Sequence, residues 1–151
     1  MAIRQLRYQE DETLRKKCKE VKQVDDKIRL YLEDMMDTLH ASGNGAALAA
    51  NQVGIRKRLV VIDYNGYYCK LVNPEITESS GSQECVEACL SFPGLIGKTL
   101  RPMHVTVKAL DETGTEITLQ AEGEMAKCFC HEIDHLDGKV FTDKVTEWLN
   151  D

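Results

Sequence analysis

The stretch that most constrains this chain is "CFCHEIDHLDG", residues 128–138, with two histidines four positions apart. At that spacing His131 and His135 project from one face of a helix about one turn apart, so two imidazoles can share one ion. Glu132 follows the first histidine and points beside such an ion, where a base acting on an activated water belongs. Met125, Phe129, Ile133 and Leu136 give the helix an apolar stripe, and Gly138 ends it. A catalytic site built this way needs a third protein ligand and one open position. Residues 136–151 contain no histidine and a single glutamate, Glu147. The third ligand is therefore expected from upstream, and the fold must carry a distant segment back onto this helix.

Several cysteines qualify. Cys130 neighbours His131 and so points about 100° away round the helix. Cys128 shares the face of His131, but its short side chain starts one turn beyond the histidine pair. Cys89, in "ECVEACLSFPG", lies at a strand end or loop before Pro93 and Gly94, with small Ala88 and Ser91 beside it. Residue chemistry favours Cys89 and leaves Cys128 open.

The chain has 151 residues, enough to bury about two thirds of its unfolded surface in one domain over residues 1–151 without disulfide staples. The net charge of −6 argues against nucleic-acid binding and against docking on anionic lipid. No apolar run approaches the length of a membrane span, and "MAIRQLRYQEDETLRKK" lacks the apolar core of a signal peptide. A cytoplasmic setting is expected, with the six cysteines as thiols or metal ligands. There is no internal repeat, low-complexity tract or linker.

Residues 24–45 read as a helix, because Ile28, Leu32, Met35, Met36 and Leu39 recur at helical spacing, with Asp25 or Asp26 as cap and Gly43 as terminator. Two strands flank the turn at Asn65 and Gly66. "TESSGSQ" reads as a polar loop. In "HVTVKALDETGTEITLQAE", Val105, Val107 and Ala109 face one way, and Ile117, Leu119 and Ala121 answer them across a turn. Strands followed by a helix packed on them imply an α+β fold: antiparallel β-sheets around a central metal-binding helix, with an N-terminal helix.

Three segments taken together resemble the peptide deformylases: "GAALAANQ" (45–52), "EACLS" (87–91) and "HEIDH" (131–135), in the family's order and spacing. The resemblance implies removal of the formyl group from the N-terminal formylmethionine of new peptides. It implies Cys89, His131 and His135 as ligands of one divalent ion, ferrous iron first, with zinc, nickel or cobalt as substitutes. It implies Glu132 as general base and acid, and the Gln52 amide and Leu90 backbone N–H as holders of the oxyanion. Gly45, Ala46, Ala47, Glu87 and Ala88 would line the substrate, and Glu87 with Arg101 would form a supporting ion pair. N-formylmethionyl peptides are the implied partners. A transient ribosome contact is the other, although the short tail from Lys139, acidic at its end, lacks the longer basic tail that some members use.

The chain departs from the family pattern at Ala47 and Ala88, where glycines are usual, and at Cys130, where glutamine is common. Ile96 stands where an arginine often holds the peptide's far end. Lys127 and Glu124 occupy positions that usually line the methionine pocket with apolar side chains, so altered side-chain preference or weaker binding there is expected. Two rival readings are a metallopeptidase, which predicts a dispensable Cys89, and a weak or inactive relative with a binding role. Retention of Glu132 and Gln52 speaks against the second, since a purely structural site needs neither.

Overall fold

The computed structural model describes residues 3–43 and 45–150; the outer ends of the expected 1–151 domain lie outside the described residues. Asp25 caps α1 (Asp26–Ser42) by accepting from the Ile28 N–H at 3.0 Å, and Gly43 ends it with φ 77°. Then follow β1 (Ala47–Ala49), a 3-10 turn (Ala50–Val53), β2 (Leu59–Tyr64) and β3 (Tyr67–Ser80). Further along come β4 (Gln83–Cys89), β5 (Phe92–Arg101), β6 (His104–Leu110), β7 (Glu116–Glu122), α2 (Glu124–Leu136) and β8 (Glu147–Trp148). Among the described residues the strands form a five-stranded sheet, β1-β2-β3-β6-β7, and a three-stranded sheet, β4-β5-β8. Every neighbouring pair is antiparallel.

The larger sheet is buried on both faces at its β1–β2 end. This explains why "LVVI" in β2 is continuously apolar rather than alternating. Val60 and Ile62 join the cluster around α2, while Leu59 and Val61 join the cluster under α1. The β2–β3 hairpin turns at Asn65 (φ 53°) and Gly66 (φ 87°), the two positive-φ positions a tight turn of this kind demands. In β6 and β7 the facing pairs are Val105 with Ala121, Val107 with Leu119 and Ala109 with Ile117, all turned toward α2. Phe129 of α2 is fully buried and meets the Tyr67 ring edge-on at 6.0 Å.

One expectation needs correction. "TESSGSQ" is not a loop: β3 continues to Ser80, with Glu78, Ser79 and Ser80 paired to Thr106, Val105 and His104. Backbone pairing holds this exposed polar end, so hydrophobic patterning has nothing to report there. The run from Phe92, broken by Pro93, Gly94 and Gly97, forms all of β5 because its backbone pairs with β4 from Gln83 through Cys89.

A strap before α1 crosses both halves of the molecule. Arg7 N–H donates to Gln52 C=O at 2.7 Å, Gln9 N–H to Ser91 C=O at 3.0 Å, and Cys18 N–H to Leu136 C=O at 2.7 Å. Gly138 fits beneath it only as glycine, since a Cβ there would stand 2.4 Å from the Arg15 carbonyl oxygen.

Candidate metal centre and cleft

The end of β4 meets α2 at the floor of a cleft of about 630 Å³. Gly45, Ala46, Ala47, Gln52, Glu87, Ala88, Cys89, Leu90, His131 and Glu132 line this cleft, His135 lies fully buried beneath it, and Arg101, Cys130 and Ile96 lie outside its lining. The ligand atoms of Cys89, His131 and His135 fall within 4.8 Å of one another. Cys89 Sγ stands 3.4 Å from His135 Nε2. Two such donors on one tetrahedral ion, at about 2.3 Å for sulfur and about 2.1 Å for nitrogen, would stand about 3.6 Å apart. The donor set therefore fits a single divalent ion.

The surrounding groups also favour a cation. Burial holds the His135 pKa well below 6.5, which keeps the imidazole neutral and its lone pair available. Burial pushes His131 the same way, but Glu132, Cys89 and Glu87 outweigh it and hold its pKa well above 6.5. His131 Nδ1 is engaged by Glu87 Oε1 at 2.7 Å, which fixes the ring and turns Nε2 toward Cys89.

Glu87 is buried and its carboxylate faces this network. Arg101 grips it through Nε at 2.6 Å and through a second guanidinium nitrogen at 2.9 Å, and Thr99 Oγ1 donates to it as well. Burial raises the Glu87 pKa, yet the bonds from Arg101 and His131 prevail and hold it far below the usual carboxylate range. Arg101 also reaches Asp134 at 2.7 Å, tying β5 back to α2. Asp134 and Thr99 were not singled out from the sequence. Asp134 sits inside "HEIDH", but only the position of Arg101 on β5 gives it a partner.

Glu132 is buried beside the ligands. Its Oε2 lies 3.8 Å from His131 Nε2, and its Oε1 has no hydrogen-bond partner. Burial pushes its pKa up to about 7, a value suited to moving protons near neutrality. Gln52 lies in the 3-10 turn after β1 and is 1% exposed. Its Oε1 accepts from Ala49 N–H at 2.9 Å, which orients the amide. Its Nε2 therefore faces Ser91 Oγ at 3.1 Å and Cys89 Sγ at 3.5 Å. Ser91, named in the sequence only as a small neighbour of Cys89, is thus a partner of this amide. Gly45 is wedged in place, since a Cβ there would stand 2.6 Å from Leu39 and 2.7 Å from Leu90 side-chain carbons. Cys128 lines the cleft but stays outside the three-ligand group, and Cys130 is buried; burial pushes both thiols up, Cys130 to about 11. Lys127 and Glu124 line the same cleft toward the start of α2.

A family model described as polypeptide deformylase matches residues 3–150. The chain belongs to the polypeptide deformylase family. It is similar to peptide deformylase 2 of Clostridium acetobutylicum, with 60% identity over 149 residues that cover 99% of each chain. It is 47% identical to a peptide deformylase of Acetivibrio thermocellus over 151 residues, covering all of this chain and 88% of that one. Among solved structures, a deformylase from Legionella pneumophila matches with a TM-score of 0.91 at 42% identity, covering 96% of this chain and 87% of that one. One from Synechococcus elongatus, in complex with actinonin, gives a TM-score of 0.91 at 39% identity, covering 95% and 79%. The α+β architecture with antiparallel sheets is thus that of the deformylases, and the family is metal-dependent.

Proposed function

We propose that the chain hydrolyses the formyl C–N bond at the N-terminal formylmethionine of newly made peptides, releasing formate and the free amine. The observation that carries this reading is the convergence of Cys89, His131 and His135 beside a buried glutamate and an oriented amide in one cleft. The three ligands hold one divalent ion, ferrous in the reading put forward here, with zinc, nickel or cobalt as replacements. When bound, such an ion supplies Lewis acidity, lowering the pKa of a coordinated water from about 16 toward 7.

The chain's own residues divide the remaining work. Glu132 takes a proton from the attacking water on its unpartnered Oε1 and returns it to the leaving nitrogen. The water oxygen bonds to the formyl carbon, and the C–N bond breaks as that nitrogen gains the proton. Gln52 Nε2–H and the Leu90 backbone N–H donate to the oxygen that becomes negative. One such donor contributes about 2.7–4 kcal/mol to lowering the barrier. Gln52 suits the task because an amide donor does not titrate, and its Oε1 is already tied to Ala49. Gly45, Ala46, Ala47 and Ala88 keep the walls small near the reacting carbon, so a formyl group enters where bulkier acyl groups meet side chains. Glu87 orients His131 and, with Arg101, steadies the ligand face.

Such substrates arise as chains leave the ribosome, which places the activity in the cytoplasm. The net charge of −6 makes that encounter a passing one, without direct nucleic-acid binding. The test is formate release from a formyl-Met-Ala peptide by protein purified without oxygen and loaded with iron or nickel, beside Glu132→Ala and Cys89→Ala. Activity in the parent and its loss in both variants is the expected result. Full activity in Cys89→Ala would overturn the ligand set, and no release from the metal-loaded parent would overturn the activity.

A further inference from the structure

Glu124, Lys127 and His131 recur at three- and four-residue steps along α2, with Cys128 and Glu132 beside them, so one helix face lines the cleft from its mouth to the reacting centre. Lys127 sits one turn before His131, about 6 Å along the axis. In the other direction the face runs into His135 and Leu136, both fully buried, so the cleft does not continue that way. Substrate atoms that follow this helix face beyond the formyl group therefore pass over Lys127.

The Lys127 side chain is only 19% exposed. Its ammonium donates to Val86 C=O at 3.0 Å and pairs with Glu124 Oε2 at 2.9 Å. An ammonium carries three N–H donors, so one remains for an occupant of the cleft. Glu124 is 57% exposed, whereas Lys127 is mostly covered and lines the cleft beside Cys128 and His131. A purely aliphatic side chain laid there would strip water from that donor and give nothing back, while a thioether offers only a weak acceptor. An amide, carboxylate or sulfoxide oxygen satisfies it.

Resting on the deformylase reading, we infer that Lys127 reads the first side chain of the peptide through this donor. The chain then processes formylated peptides whose first residue ends in a hydrogen-bond acceptor at least as well as those beginning with unmodified methionine. Methionine sulfoxide, in which oxidation gives the same skeleton a polar oxygen, is the member of that class closest to the methionine start.

The test compares kcat/KM of the nickel-loaded protein for formyl-Met-Ala, formyl-norleucine-Ala, formyl-methionine-sulfoxide-Ala and formyl-Gln-Ala, in the parent and in Lys127→Met. Dissociation constants of the matching deformylated peptides, measured by calorimetry on metal-free protein, supply a second readout. The parent is expected to handle the sulfoxide as well as methionine or better, with norleucine about tenfold below the sulfoxide, the size of one charge-assisted hydrogen bond. Lys127→Met is expected to reverse that order by about tenfold in both readouts. Methionine and norleucine preferred over the sulfoxide by the parent, or a ratio unmoved by Lys127→Met, would overturn the inference and leave the deformylase reading standing. Formate release from none of the four peptides would overturn both.

Discussion

At the residue scale, the buried carboxylates have opposite tasks because their neighbours differ. Glu87 is saturated by Arg101, Thr99 and His131, so it stays ionised and structural. Glu132 keeps one oxygen without a partner, and burial raises its pKa to about 7, a setting that suits exchange of a proton. Gln52→Leu should lower kcat by a factor of about 100–1,000 with metal content unchanged, as for loss of one oxyanion donor; a simple metal assay alongside the kinetics checks this. Glu87→Gln should destabilise the fold by about 3 kcal/mol near neutral pH, because it leaves Arg101 only partly compensated. The sign of its pH dependence follows from a folded pKa held below the ordinary 4.5. The stabilisation is complete above that value and fades as acid protonates the carboxyl, so parent and variant should converge in denaturant melts as pH falls below 4.5. His131, Glu132 and His135 are legible in the sequence because a helix converts their spacing into a shared face. Thr99 and Ser91 are not, since each acts only on a side chain that a different strand or turn delivers.

At the element scale, α2 serves as both core and site. Its apolar stripe packs on β1, β2, β3, β6 and β7, and its other face lines the cleft. Phe129→Ala should therefore cost about 3–5 kcal/mol and loosen the site at once, read as a lower unfolding midpoint together with weaker metal retention. The helices and the β2–β3 and β6–β7 hairpins show in the sequence through periodicity and turn chemistry. The β4–β5 hairpin does not, because Pro93, Gly94 and Gly97 erase the pattern that its backbone pairing then restores. Cys89 ends β4 beside α2 only because of that pairing, which is why residue chemistry alone left Cys128 in contention.

At the scale of the whole molecule, Cys89 of the small sheet lies against His131 and His135 of the helix packed on the large one, so an ion held there would act as a rivet between halves. Stripping the metal with a chelator should lower the melting temperature by roughly 10 °C if free metal had stood a thousandfold above its Kd; an unchanged melt would mean that the halves hold without it. Cys18 and Cys130, whose thiols burial pushes up to about 11, should resist iodoacetamide near neutral pH until the chain unfolds. The strap that runs before α1 has a consequence for the order of assembly. Its anchors are the backbone carbonyls of Gln52, Ser91 and Leu136, so the strap is fully seated only once α2 exists. These are among the longest loops in the chain to close, and the entropy of closing them must be offset by surfaces already formed. The segment before α1 is thus secured along its whole length only after most of the residues that follow it have found their places.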